Sequence, residues 1–277
     1  MRLGAPIFLP VFDPAAWVAA VQAKGYRAAY CPLTGAEDAA TLRACERAAQ
    51  QAGLVIAEVG AWCNPLSPDE PTRQAALAKC QAMLALADEV GARCCVNIAG
   101  SLGAKWDGPH PADLSPEAFD LVVQSVRAIL DAVKPRRAFY TLETMPWMYP
   151  DSIESYLDLI AAIDRPQFAV HFDPVNLVNS PLRYFHNADL MREFIARLGP
   201  YIRSVHAKDT LLQDHLTVHL DELRPGLGSL DYRTLLVELD RLDPDLPLML
   251  EHLPGESEYD QAAAYLRGVA RAVGVSL

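Results

Sequence analysis

No run of 18 apolar residues occurs in the chain, so no membrane-spanning helix is expected. The opening MRLGAPIFLPVFDP lacks the long apolar segment and small-residue cleavage site of a secretory leader. There is no CxxC pair, and the six cysteines, at 31, 45, 63, 80, 94 and 95, follow no framework spacing. Cys94 and Cys95 sit together in an apolar run and read as small buried hydrophobes. Reduced thiols make the cytoplasm the expected location. A basic stripe is also missing: the densest run is Lys134-Pro135-Arg136-Arg137, in a chain of net charge −11. Such a surface repels phosphate backbones, so nucleic acid is not an expected partner. No GxGxxG or Walker pattern offers a cradle for a nucleotide. No Pro/Gly/Ser-rich linker divides the chain, which is read as one domain over residues 1–277.

What is present is enough apolar material for a full core: 51% of 277 residues, with 21% charged. Short apolar runs alternate with longer amphipathic stretches from end to end. The strand candidates are Leu3–Leu9, Ala28–Cys31, Leu54–Val59, Arg93–Ile98, Ala138–Glu143, Gln167–Asp173, Ile202–His206 and Pro247–Glu251. A helical stretch follows each one. Ser115-Pro116-Glu117 places a hydroxyl at an N-cap and proline at the first helical position. Gly25, Gly53 and Gly91 follow helical runs where a left-handed residue is wanted. Eight strand–helix units in one unbroken series predict an α/β fold, a (β/α)₈ TIM barrel. A doubly wound sheet is the rival, but its Gly-rich first turn is replaced by Leu9-Pro10-Val11-Phe12-Asp13-Pro14.

Four strand candidates in succession end in a potential metal ligand: Glu143, Asp173, His206 and Glu251. Their spacings of 30, 33 and 45 residues average 36, close to the length of one unit in a 277-residue chain of eight. Side chains at the C-terminal ends of barrel strands converge on the mouth, where barrel active sites lie. An ionisable group there is costly unless paired or ligated. Three crowded carboxylates repel one another, and a divalent cation relieves this. Three oxygens and an imidazole suit Mn²⁺ or Mg²⁺, with Co²⁺ and Zn²⁺ as alternatives. With no thiolate on offer, a structural tetrahedral zinc site is disfavoured.

Leu142-Glu143, Phe172-Asp173-Pro174-Val175-Asn176, Val205-His206-Ala207-Lys208-Asp209 and Leu250-Glu251 resemble the metal-site motifs of xylose-isomerase-like TIM barrels, a superfamily of sugar isomerases and epimerases, inosose dehydratases and endonuclease-IV-type enzymes. His206-x-Lys208-Asp209 followed by Pro225-Gly226-x-Gly228 resembles the sugar isomerase/epimerase branch. The resemblance implies a metal held by Glu143, Asp173, His206 and Glu251. It also implies catalysis by Glu143 and Glu251 as acid and base, through a metal-stabilised enediolate of a small keto-sugar or cyclitol. Three positions depart from the ketose 3-epimerase pattern: Asn176 for a histidine, Tyr149 for a glutamate and Leu212 for an arginine. The metal core is kept and the sugar-reading shell differs. A metal-dependent lyase or dehydratase of a keto-inositol or keto-sugar is therefore the alternative enzyme, and a non-catalytic carbohydrate-binding barrel is the alternative outside enzymes. The endonuclease branch needs several more histidines at its site than the loops here supply, and the net charge opposes DNA.

Further candidate substrate contacts are Asn176, Lys208, His171, Trp62, Asn97 and Arg224. His171 lies two residues before Asp173 and so shares its side of the strand. His252 follows Glu251 and is expected to point away. Asp209 is expected to be a salt-bridge or turn partner. Trp62, Trp106, Trp147, Met145 and Met148 cluster near the predicted mouth, which raises the expectation of a homodimer.

Overall fold

The computed structural model describes residues 1–277. In chain order the elements are β1 (Arg2–Ala5), α1 (Pro14–Ala23), β2 (Ala28–Ala29), α2 (Ala39–Gln51), β3 (Val55–Ile56), β4 (Glu58–Gly60), α3 (Glu70–Val90) and β5 (Cys94–Asn97). They continue as α4 (Pro116–Val133), β6 (Phe139–Glu143), α5 (Ile153–Ile163), β7 (Phe168–Phe172), α6 (Pro174–Leu177), α7 (Pro181–Phe185) and α8 (Asn187–Leu198). The last are β8 (Ile202–Ala207), β9 (Asp209–Leu212), β10 (Leu220–Leu223), α9 (Tyr232–Asp240), β11 (Pro247–Leu250) and α10 (Glu256–Val273).

One sheet runs in the order β3-β2-β1-β11-β8-β7-β6-β5-β4, and every pairing in it is parallel. β3 and β4 are one stave bent at Ala57. Its first half pairs with β2 and its second with β5, which brings the two edges of the sheet together. The result is the (β/α)₈ barrel that the alternating pattern predicts. A cluster of 64 buried apolar residues fills the layer between the strands and the helices, and a separate small cluster of Ala28, Ala57 and Met249 packs inside the barrel.

Helix starts follow local chemistry. Asp13, Asp38, Asp69, Ser115 and Ser152 each accept a hydrogen bond from the backbone N–H three residues on. Each such cap stabilises its helix by about 1 kcal/mol. Two features depart from the expected pattern. The first strand ends at Ala5 rather than Leu9, because Pro6 and Pro10 remove ladder donors and leave Phe8 exposed. An antiparallel hairpin, β9–β10, rises after β8. Its tip, Gln213 to His219, contains no Asn-Gly or Asp-Gly signal that would mark it in the sequence. No helix is long and apolar enough to cross a membrane.

Candidate metal centre and its pocket

Glu143 closes β6, Asp173 follows β7, His206 lies near the end of β8 and Glu251 follows β11. Their candidate ligand atoms all lie within 4.8 Å of one another. His206 Nδ1 is 3.0 Å from Glu251 Oε1 and 3.4 Å from Glu143 Oε1. His206 Nδ1, Asp173 Oδ2 and Glu251 Oε1 are buried and complete no well-directed hydrogen bond. Asp173 Oδ2 and Glu251 Oε1 face one another at this depth with only the Lys208 ammonium and the His206 ring beside them, and a bound cation would satisfy them.

Each member is held by a second contact. Asp173 caps α6: its Oδ1 accepts from the N–H groups of Val175 (2.9 Å) and Asn176 (3.3 Å), which turns Oδ2 toward the cluster. Asn176 Nδ2 donates to Glu143 Oε1 at 3.0 Å. His206 Nε2 contacts Glu58 Oε1 at 3.0 Å, so Nδ1 is the nitrogen aimed at the cluster. The other oxygen of Glu58 contacts His171 Nε2 at 2.9 Å. This carboxylate thus bridges two buried imidazoles from across the barrel. A carboxylate behind a histidine ligand fixes the ring and its tautomer.

Lys208 is buried beneath the mouth. Its Nζ lies 2.6 Å from Asp173 Oδ2, 2.8 Å from Glu251 Oε1 and 3.4 Å from Glu222 Oε2. Tyr232 donates its hydroxyl to the Lys208 carbonyl. Asp209, next in sequence, is a turn partner: it accepts from the N–H groups of Thr210, Gly226 and Leu230 and so pins the Pro225–Gly228 turn. Only glycine fits at 228, where a Cβ would overlap the Thr210 carbonyl oxygen.

The crowding shifts proton affinities. Burial raises the Asp173 carboxyl to about 7, with Glu143 and Glu251 adding to the rise against the opposing pull of Lys208. Burial also works against ionisation of Glu143, Glu251 and Glu58. There the neighbouring positive groups prevail and all three carboxyls are held below their ordinary range: His206 for Glu143, His206 and Lys208 for Glu251, His171 and His206 for Glu58. His206 is desolvated, yet the carboxylates of Glu251, Glu58 and Glu143 hold its proton well above the usual histidine value.

A family model, the xylose isomerase-like TIM barrel, matches residues 18–269. The chain belongs to that family. Among curated proteins nothing matches it. Solved structures show the same fold. The probable 3-DHS dehydratase AsbF, involved in petrobactin synthesis in Bacillus anthracis, has a TM-score of 0.72 at 17% identity, covering 98% of this chain and 99% of that one. D-psicose 3-epimerase from Clostridium cellulolyticum H10, solved with D-tagatose, has a TM-score of 0.70 at 14% identity, with 100% of both chains covered. A xylose isomerase-like TIM barrel protein from Mycobacterium smegmatis, in complex with magnesium, has a TM-score of 0.68 at 17% identity over 98% and 97%. The neighbours are thus mostly enzymes, both epimerases and a dehydratase among them.

Above the four side chains of this family member opens a cavity of about 350 Å³. Of the residues proposed from sequence, Glu143, Asn176, Lys208 and Trp62 line it. Asp173, His206 and Glu251 lie beneath, in contact with the lining. His171 does not reach the cavity: it is buried against Glu58, with its ring centroid 4.1 Å from that of His206. Asn97 is buried too, and its amide accepts from the Cys63 N–H and donates to the Cys63 carbonyl. Arg224 lies outside the cavity, its Nε bonded to Glu258 at 2.8 Å. The strand does not persist past Leu250, so His252 does not point away. It adopts φ 56° and turns into the cavity, where Nδ1 meets Glu222 Oε1 at 3.0 Å. Trp106, Asp107, Met145 and Glu222 complete much of the wall.

Glu58 escaped the sequence reading, although a signal was there. It is a lone carboxylate inside the apolar run Leu54–Val59, one position from the strand end. Glu222 carried no such signal, because its hairpin was itself invisible.

Proposed function

We propose that Glu143, Asp173, His206 and Glu251 hold one divalent cation, Mn²⁺ or Mg²⁺. We further propose that the chain is a metal-dependent isomerase or epimerase of a small keto-sugar or cyclitol. The observation that carries this reading is the convergence of three buried carboxylates and one imidazole, with polar atoms that complete no well-directed hydrogen bond, under a cavity at the barrel mouth. Oxygen-rich ligation of this kind suits a hard cation. Bound there, the cation would polarise a substrate carbonyl and acidify the neighbouring C–H.

The chain's own residues supply the rest. Glu143 and Glu251 stand on staves separated by β7 and β8, so they flank a substrate from different sides. One takes a proton from carbon and the other returns it. Asn176 fixes one oxygen of Glu143 and leaves the second to act. Lys208 does the same for Glu251. Trp62 and Trp106 offer flat apolar faces to the C–H side of a sugar ring. Elimination of water is the second reading. It is favoured by His252, whose Nε2 lies 3.8 Å from Glu251 Oε2 and could deliver a proton to a leaving hydroxyl.

The test is solvent exchange. Keto-sugars and inososes are incubated with Mn²⁺-loaded protein in D₂O and read by mass spectrometry. Gain of one deuterium at carbon with unchanged formula supports isomerisation or epimerisation; loss of water supports the dehydratase. No exchange with any compound, in protein that holds its metal, overturns enzymatic proton transfer and favours a binding barrel.

Two coarser expectations belong to the same reading. The six free cysteines support a reducing, cytoplasmic setting. Trp62, Trp106 and Trp147 are each more than a third exposed at the mouth, which supports a homodimer that covers them. A monomer by light scattering at micromolar concentration would remove the dimer.

A further inference from the structure

We infer that the pocket is built for a neutral polyhydroxylated substrate and rejects phosphorylated or carboxylate-bearing ones; this rests on the carbohydrate reading above. Acidic side chains outnumber basic ones around the cavity. Three carboxylates, Glu143, Asp173 and Glu251, lie at or beneath its floor. Two more, Glu222 and Asp107, stand on its wall, about a third exposed. Asp107 Oδ1 is a buried atom that completes no hydrogen bond. Lys105 approaches it at 3.3 Å, but that ammonium group is three-quarters exposed and screened by solvent.

Against these five acids the pocket offers few positive groups, and those are committed. Lys208 has three N–H donors, and four carboxylates surround it at 2.6, 2.8, 3.4 and 3.9 Å. His206 gives one nitrogen to Glu58 and the other to the cluster. His252 is taken by Glu222. No arginine lines the cavity, and Arg224, the nearest in sequence to the Pro225–Gly228 turn, is bonded to Glu258. A divalent cation and a protonated His252 together still leave the lining with more negative than positive charge. A phosphate or carboxylate tail would therefore meet net repulsion and no cationic side chain free of a carboxylate partner. Hydroxyl groups, by contrast, can donate to Glu222 and Asp107, and the faces of Trp62 and Trp106 need no charge.

The experiment compares matched pairs: D-fructose with D-fructose 6-phosphate, and D-glucose with D-glucuronate. Binding to the Mg²⁺-loaded and the metal-free protein is read by tryptophan fluorescence and calorimetry. The neutral member should bind at least about tenfold tighter in each pair, the scale of one like-charge contact at about 4 Å in a site open to water. Added salt should narrow the gap. In the Asp107→Asn/Glu222→Gln double variant, the charged member should gain about tenfold relative to the neutral one. Equal or tighter binding of the charged members to the wild-type protein overturns the inference while leaving the carbohydrate reading in place. A gap that salt does not change overturns its electrostatic origin. Failure of every compound, neutral and charged, to bind overturns the carbohydrate reading itself.

Discussion

At the foot of the barrel, where the strands begin, Arg93, Arg137, Arg203 and Arg241 line an open groove of about 650 Å³. Three of these arginines have an acidic partner of their own: Asp243 for Arg93, Glu46 for Arg137 and Glu238 for Arg241. Arg203 instead lies 4.1 Å over the Phe139 ring and donates to two carbonyls. All these charges sit in reach of water. At the mouth, the smaller cavity stands over the almost wholly buried charges of Glu143, Asp173, His206, Lys208 and Glu251, and none of these three acids has a partner to itself. Lys208 reaches Asp173, Glu251 and Glu222 together, while His206 also approaches Glu251 and His252 approaches Glu222. Charge paired one to one at a surface is a modest contribution to stability. Charge that is buried and shared among several partners is costly to fold, and that cost is the ground for proposing a functional site here.

The sharpest way to break this contrast is at Glu251. Glu251→Gln keeps the shape and an oxygen ligand but removes the basic carboxylate. Turnover should fall about 10²–10⁴-fold with metal still bound, the usual loss on removing a general acid or base. His206→Ala should lose metal first and activity as a consequence. Assay at saturating Mn²⁺ with metal content measured in parallel separates the two. Near-normal turnover in metal-replete Glu251→Gln protein would leave Glu251 a ligand only.

Glu58 comes next. It lies outside the cavity lining and contacts His206 from behind. Glu58→Gln should weaken Mn²⁺ affinity about 10–100-fold, the scale seen for partners behind a metal-binding histidine, and excess metal should restore activity. Unchanged affinity by calorimetry would make the Glu58 bridge a matter of packing alone.

Proton competition gives the third test. A metal requires His206 unprotonated at Nδ1 and Asp173 ionised. The metal-free protein holds the His206 proton tightly, and Asp173 gains one as pH drops through about 7. Affinity must therefore rise with pH. The expected slope is about tenfold per pH unit above 7, where one proton is displaced, and steeper below it, where two are. A flat profile between pH 6 and 8 would show that these two groups do not ligate.

The smallest effect is expected at the foot. Asp243→Ala leaves Arg93 without its partner on a half-open surface. Urea denaturation should show a loss of about 0.5–2 kcal/mol, with Mn²⁺ affinity unchanged. A change in metal binding would mean that the two ends are coupled.

Much of this was legible in advance for physical reasons. Apolar runs with the strand period, interrupted by capped amphipathic stretches, define eight units. Because those runs set where each strand stops, they also place Glu143, Asp173, His206 and Glu251 at one end. His171 shows the limit of such reasoning. Its side of the strand was correct, but a strand alone does not say whether a side chain meets the cavity or the opposite wall. Here the wall provides Glu58, 113 residues away.

Local sequence by itself determined the barrel, its helix starts and the four strand-end ligand candidates. Hydrophobic period, caps and proline act within a few residues, and they can be read there. Only the tertiary structure decided that Glu58 joins His171 to His206, that Lys208 is shared among four carboxylates, and that Arg224 turns to Glu258. It also decided that a hairpin carries Glu222 over the mouth, where a left-handed backbone brings His252 to meet it. These contacts join residues that closure of the ring or folding of a loop makes neighbours. No periodicity along the chain encodes which buried charge faces which, since that depends on register between strands and not on pattern within one.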